Sequence, residues 1–330
     1  MSISENDVSI LIPTYRYRNK VGRAVESALA SGAGEIIVTD DCSSDGTMEL
    51  LAGYDEPRLR VFENPVNLGL WENHLAALGH ATRPWIKFIQ ADDYLLPNGL
   101  AAYAAAAAPG VNVVWSNPLV NNEMTGANRK YYTIKKAWRL TGEDYLNLAV
   151  RSCWLLGSPS QMMLRTETVV RDPAAWITDI STDVILGTLA ARQGDVVLLP
   201  TGAIAQTEHE SRDMVTQSRL RGLRRSVATA QYLKAQSDPT VRRFGVLWAA
   251  VNRNRVWRTA LSGTLRGQIR PREALHLVQR HSALANDHAG DERDRQLARD
   301  GRAFRRHARK PYDIDGILAR EIVADGQAAA

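Results

Sequence analysis

Apolar positions along this chain follow two periods, and the places where one gives way to the other outline a fold. Residues 8–12 form a short β-branched run stopped by Pro13, as a strand buried on both faces would be. Val21, Ala24, Val25, Ala28 and Leu29 then recur at helical spacing and predict one buried helix face. Residues 35–39 read as a second strand, so strand, helix and strand fit into about thirty residues. Such a unit crosses over right-handed and builds a parallel sheet. The alternation continues with a helix from Thr47, a strand at 59–62, a helix face on Leu68, Trp71, Leu75 and Leu78, and a strand at 85–89. The pattern predicts a three-layer α/β sheet. Ligands of such sheets bind beyond the carboxyl ends of the strands, here after Ile12, Thr39 and Ile89.

The later half is less regular. The alanine-rich run 101–108 predicts a helix, because Ala has the highest helix propensity. Residues 111–115 read as a strand, Thr125-Gly126 as a hairpin turn, 182–192 as a helix capped by Ser181, and 196–199 as the last strand. From Met214 onward the pattern is helical, with breaks at Asp238-Pro239, Arg270-Pro271 and Lys310-Pro311. Phe244, Leu247, Trp248 and Val251 form an apolar stripe in a segment crowded with Arg242, Arg243, Arg253, Arg255 and Arg258. That stripe either packs on the preceding domain or lies on an anionic bilayer. Residues 291–310 mix both charge signs and read as an exposed, salt-bridged helix.

Composition narrows the classes. With 330 residues, 45% hydrophobic and 23% charged, the chain resembles an ordinary globular protein and excludes disordered, collagen-like and disulfide-scaffold classes. Its two cysteines, Cys42 and Cys153, point to a reducing compartment. No apolar run approaches the roughly 20 residues that span a bilayer, and the start lacks the pattern of a secretory signal. The expectation is a cytoplasmic protein, with the inner membrane face as its place of peripheral contact. Charge is divided: residues 1–211 carry 17 basic and 24 acidic side chains, residues 212–330 carry 24 and 12. The basic half is suited to an anionic partner such as a membrane surface.

Two loops hold candidate chemistry. After the second strand, Asp40, Asp41, Ser43, Asp45 and Thr47 can accept hydrogen bonds from a base or ribose, or simply cap the following helix. After the strand at 85–89 comes Gln90-Ala91-Asp92-Asp93. Adjacent carboxylates there suit Mg²⁺ or Mn²⁺ shared with a diphosphate, or a solvated turn.

The ordered set of Pro13-Thr14-Tyr15 closing the first strand, Asp40-Asp41-x-Ser43-x-Asp45-Gly46-Thr47, Asn67-x-Gly69 with Asn73, and Asp92-Asp93 before Pro97 resembles the family 2 glycosyltransferases of the GT-A fold. A looser continuation through residues 157–160, Thr182-Asp183 and Glu208-His209 carries the resemblance to about residue 213. It implies an α/β GT-A fold at 1–213 with a basic, mainly helical extension at 214–330. It further implies inverting transfer of a sugar from a nucleoside diphosphate donor, a UDP-sugar foremost, to an acceptor hydroxyl, in bacterial polysaccharide or glycoconjugate synthesis. By position, Pro13 and Tyr15 would flank the base, Asp41 would accept from its edge, Asn73 would line the nucleotide pocket, and Asp92 would sit near the ribose and metal. Asp93 would ligate Mn²⁺ or Mg²⁺, His209 would contact the diphosphate or complete the metal shell, and Asp183 would be the base, with Asp179 as the fallback. The acceptor would be a glycan, a lipid-linked molecule or a small metabolite, and Trp115, Trp138 and Trp154 could stack on it or belong to the core. Arg16 stands where the family commonly has Asn, Cys42 where it has Gly or Asn, Gln90 where it has Asp, and Thr182 where it has Glu.

Rival readings fit less well. A sugar-nucleotide nucleotidyltransferase or a dinucleotide oxidoreductase would carry a glycine-rich loop after the first strand, and residues 13–20 contain no glycine. A polyanion-binding module would use the basic half and leave the ordered aspartates unexplained. Nucleic acid is the least favoured partner of that half.

Overall fold

The computed structural model describes residues 3–152, 155, 157–177, 179–210, 219–286, 292–304 and 312–325. The strands are β1 (Val8–Thr14), β2 (Glu35–Asp40), β3 (Leu59–Glu63), β4 (Trp85–Phe88), β5 (Tyr94–Leu95), β6 (Val111–Ser116) and β7 (Leu119–Asn122), followed by β8 (Asn128–Arg129), β9 (Tyr132–Thr133), β10 (Trp138–Leu140), β11 (Met162–Arg165), β12 (Asp195–Leu199), β13 (Ile204–Glu208) and β14 (Tyr312–Asp313). The helices are α1 (Arg18–Leu29), α2 (Thr47–Leu51), α3 (Leu70–His80), α4 (Gly99–Ala106), α5 (Gly142–Ser152) and α6 (Thr182–Arg192), then α7 (Arg219–Lys234), α8 (Pro239–Leu265), α9 (Pro271–Ala285), α10 (Glu292–Phe304) and α11 (Ile314–Asp325).

Eight strands make the main sheet in the order β10-β12-β6-β11-β4-β1-β2-β3. β1 to β4 are mutually parallel, as the early βαβ pattern predicts. β11 enters antiparallel between β4 and β6, which the sequence pattern does not announce. A second sheet, β5-β13-β7-β8, stands beside the first, so β12 is not the last strand. β7 and β8 pair antiparallel around the expected Thr125-Gly126 turn.

β1 runs through Pro13 rather than stopping before it. Leu11 C=O accepts from the Ile89 N–H, so the odd-numbered residues of β1 face β4. Pro13 therefore comes at the next rung on that side and has no N–H to give. The chain beyond Phe88 is freed from the ladder there, at the start of the Asp92-Asp93 loop.

Both faces of the sheet are covered. Ile10, Ile12, Ile36 and Val38 pack with α1 and α4 on one side. Leu11, Ile37, Ile86 and Phe88 join a larger core on the other, which also holds Trp115, Tyr145 and Trp176. The C-terminal helices share this second core: Phe244, Leu247, Trp248 and Val251 are all buried in it, with Leu297, Ala298 and Leu318. Protein thus covers the apolar stripe of α8, which removes it as a bilayer-facing surface. Trp115 and Trp138 are core residues too, their indole N–H groups donating to Gln161 and Asp315. α10 is salt-bridged as expected, with Arg295 and Arg299 on Glu292, but Asp294 turns inward to Arg243. Trp154, Cys153, Met214 and Lys310-Pro311 lie outside the described residues, as does the 213/214 boundary.

Candidate active site

Three chain segments meet at the carboxyl edge of β1, β2 and β4. The first is organised by Asp41, which is buried. Its Oδ1 accepts from Asn64 Nδ2 at 2.9 Å and from the Leu68 N–H at 2.8 Å, and its Oδ2 accepts from the Gly69 N–H at 2.9 Å. Gly69 has φ 105°, a region that only glycine enters readily, so the amide can turn toward the carboxylate. A carboxylate has about four acceptor positions, and one remains for a ligand N–H. Asn73 is buried behind it, its amide donating to Thr14 C=O and Thr39 C=O while its Oδ1 accepts from Asn64. It clamps the ends of β1 and β2 rather than presenting its amide to the cleft. Pro13 is buried and Tyr15 is 39% exposed, so the aromatic ring is the accessible member of that pair.

Two departures from the family pattern acquire a physical meaning. Arg16 has φ 55° and Cys42 has φ 60°, both left-handed conformations that Asn and Gly tolerate better. Beside them, Thr14 Oγ1 and Asp40 Oδ1 are buried with no hydrogen-bond partner among the described residues. Native interiors rarely leave such atoms unpaired, and a bound polar ligand at this edge would pair them.

The second segment is the loop after β4. Asp92 Oδ2 lies 2.9 Å from His209 Nε2, and both side chains are nearly buried. Tyr17 packs edge-on against the imidazole. Asp93 takes a different direction: its Oδ1 accepts from the Thr207 N–H at 3.0 Å. Neighbouring side chains on an extended turn diverge, so the three expected metal ligands do not form one cluster. Among the described residues no group of three or more His, Cys, Asp or Glu side chains is placed to hold a metal ion. The donor set that does fit is Asp92 with His209, an oxygen and a nitrogen side by side. Mg²⁺ and Mn²⁺ accept so small a protein set because diphosphate and water complete the shell.

Gln90 stands beside this pair and faces His74 at 2.9 Å. Both ring nitrogens face oxygens, Nδ1 the Leu70 carbonyl at 2.6 Å and Nε2 the Gln90 Oε1 at 2.9 Å, and a neutral imidazole donates to one of them. Burial pushes His74 down to about 4 and keeps it neutral.

The third segment brings the expected base. Asp183 opens α6, where the Val184 N–H donates to its Oδ1 at 3.0 Å. Burial raises its pKa above the ordinary aspartate range, while the N–H groups of Val184 and Ser158 and the Arg225 guanidinium pull partly the other way. Ser158 belongs to the loop whose Ser160 Oγ accepts from the Gln90 N–H at 3.0 Å. Asp183, the loop at 157–161 and the Asp92 loop are therefore joined. Asp179 is more exposed and lies 3.9 Å from Arg221.

A residue that the pattern did not reveal ties these loops from below. Lys87 is fully buried in β4 and donates to the carbonyls of Phe88 and Ser160. Desolvation pulls its ammonium down to about 7, against the favourable charge of Asp93. Gln161 and Gln206 form a second buried link, amide to amide at 3.1 Å. A cleft of about 410 Å³ lined by Arg83, Arg165 and Arg171 lies at the start of β4, the opposite edge of the sheet.

The mixed sheet, with acidic and amide side chains at one carboxyl edge, defines a GT-A-like α/β fold of the nucleotide-sugar transferase class. The family model described as "Glycosyl transferase family 2" matches residues 9–170, and this part of the chain belongs to that family. Over 114 residues it is 33% identical to the succinoglycan biosynthesis protein ExoO of Rhizobium meliloti, a stretch covering 34% of this chain and 33% of that protein. The chain thus spans about a third of that relative's length. Among solved structures, residues 1–349 of TarS from S. aureus in complex with UDP superpose with a TM-score of 0.63 at 17% identity, covering 92% of this chain and 91% of that one. The mannosyltransferase PcManGT of Pyrobaculum calidifontis, in complex with GDP-Man and Mn²⁺, gives 0.53 at 16% identity over 92% of this chain and 85% of that one. Coverage of 92% takes the fold likeness well past residue 213, where the sequence resemblance ends.

Proposed function

We propose that this protein transfers a sugar from a nucleoside diphosphate donor, a UDP-sugar foremost, to an acceptor hydroxyl with inversion, in bacterial polysaccharide synthesis. The observation that carries the reading is the joining of the Asp92–His209 pair to Asp183 through the loop at 157–161. The family, the succinoglycan protein among the relatives and the nucleotide-bound structural neighbours support it.

In this reading Tyr15 stacks on the base and the open acceptor position of Asp41 takes the N–H of a uracil edge. Asp92 and His209 would hold Mn²⁺ or Mg²⁺, which would neutralise charge growing on the diphosphate leaving group. Asp93 fixes β13 against the loop so that His209 stays beside Asp92. Asp183 takes the proton of the acceptor hydroxyl as its oxygen attacks the anomeric carbon. A carboxylate of raised basicity is better suited to that step, and such a base contributes roughly 10²–10⁴-fold. The Ser158 N–H supports the Asp183 carboxylate, and Lys87 holds the same loop by donating to the Ser160 carbonyl.

The experiment is a donor screen: UDP-, GDP- and dTDP-sugars, each with and without Mn²⁺, read by calorimetry and by product formation. UDP-sugar binding strengthened by Mn²⁺ is expected. Absence of any nucleotide binding in the presence of metal would sink the reading.

A further inference from the structure

The apolar stripe of α8 that the sequence singles out is internal, but the same helix carries a second stripe on its outer side. Trp257, Leu261 and Leu265 are 52%, 62% and 78% exposed. At spacings of four residues they cover about 80° of the helix circumference, one continuous strip over its last turns. Leu275, in the second turn of α9, is 54% exposed at the same end of the α8–α9 hairpin. The residues behind them, Val256, Ala260, Ile269, Ala274 and Leu277, form the hairpin's own small core with α7. That core is complete without the outer strip, which therefore has another use.

The surrounding charge says what kind of surface would cover it. Residues 239–286 contain nine arginines and one acid, Glu273. Arg224 and Arg270 already neutralise that acid. Arg255, Arg258, Arg266, Arg270 and Arg272 are exposed around the strip. Two copies meeting through this face would bring like charges together. An anionic bilayer would instead accept the indole and leucines among its acyl chains and the guanidinium groups among its phosphates.

The geometry points to the outer strip of α8, Trp257, Leu261 and Leu265, as a docking surface for an anionic phospholipid bilayer. Its place in the fold gives the docking a purpose. Arg219, at the start of α7, donates to Ser262 Oγ at 2.5 Å, one residue from Leu261. From there α7 runs past Arg221 at Asp179 and Arg225 at Asp183, and its Thr229 Oγ1 accepts from the Ser181 N–H. Six residues of helix, about 9 Å, separate Arg219 from Arg225. A bilayer on the strip would lie next to the side of the site where the base receives its acceptor, which suits an acceptor carried on a lipid. This purpose rests on the transferase reading, whereas the docking does not.

Flotation of the full chain tests the docking without any enzymatic readout. Vesicles of phosphatidylglycerol and phosphatidylethanolamine should retain the protein at least about tenfold better than phosphatidylcholine vesicles, with retention falling as salt rises. The triple variant Trp257→Ser, Leu261→Ser, Leu265→Ser should lose about tenfold or more of that retention while its melting temperature stays that of the parent. Arg258→Glu with Arg266→Glu should lose it with the apolar strip intact. Failure of the parent to float on anionic vesicles at low salt, or equal flotation of the triple variant, overturns the proposal. A parent dimer in sedimentation that the triple variant converts to monomer would assign the strip to a second copy and likewise overturn it.

Discussion

His209 Nε2 and Asp92 Oδ2 sit 2.9 Å apart although 117 residues separate them in the chain. The contact forms because β13 lies in a different sheet from β4, and Asp93 fastens the two by accepting from Thr207. Replacing either member, His209→Ala or Asp92→Asn, should abolish the Mn²⁺-dependent part of UDP binding, a loss of about tenfold or more. Calorimetric titration of UDP with and without Mn²⁺ reads this directly. Asp93→Asn should instead lower the melting temperature, because a neutral amide accepts more weakly from the Thr207 N–H.

Asp183→Asn should leave donor binding within about twofold and reduce transfer by roughly 10²–10⁴-fold. In the parent, burial raises the carboxyl, and the reactive form is the deprotonated one. Turnover should therefore rise with pH through a value above that of an ordinary aspartate and fall off below it. A pH profile of kcat with its acid limb at or below the ordinary value of 3.8 would remove Asp183 from this role.

Lys87 links stability to pH. Its ammonium is held down to about 7 in the fold, below its ordinary 10.5, so the unfolded chain binds the extra proton between those values. The cost of burying it is fully present below about pH 7 and is relieved as pH rises toward 10.5. Denaturation midpoints of the parent relative to Lys87→Met should consequently shift in favour of the parent from neutral pH upward. A pH-independent difference would show that Lys87 titrates normally.

Cys42 holds φ 60° on the exposed loop after β2. Left-handed backbone costs an ordinary residue about 1–2 kcal/mol, and glycine escapes this but loses more entropy on folding. Cys42→Gly should be stabilising by up to about 1 kcal/mol in urea titration. A destabilised variant would mean that the thiol makes a contact worth more than the strain.

Much of the first hundred residues is legible because their strands are buried on both faces and their helices on one. The two periods of Ile10 with Ile12 and of Val21 with Val25 report those environments directly. β11 escaped because Met162, Met163, Leu164 and Arg165 are too few to show a period, even behind the turn signal of Gly157-Ser158-Pro159-Ser160. β13 escaped because Pro200 reads as an ending. At the candidate site, the resemblance singled out Asp92, Asp183 and His209, which the fold brings to neighbouring loops, but it did not give the direction in which each side chain turns. That direction separates Asp93 from Asp92, and it is set by a backbone amide 114 residues away. Lys87 was illegible for a related reason. In a strand buried on both sides, alternation places every residue inside, and it takes the carbonyls of Ser160 and Phe88 to explain why one of them is a lysine.

The large core that holds Trp115 also holds Val241, Phe244, Leu247, Leu297 and Leu318. During synthesis the strands emerge with α3, α5 and α6, and the C-terminal side chains that complete this core, from Val241 on, emerge after the last strand of the main sheet. A nascent chain released near residue 213 leaves the apolar outer sides of α5 and α6 without the helices that pack on them, and chaperone occupancy should persist until α8 has left the ribosome. The order of translation thus makes the basic helices the closing step of folding for the domain that precedes them.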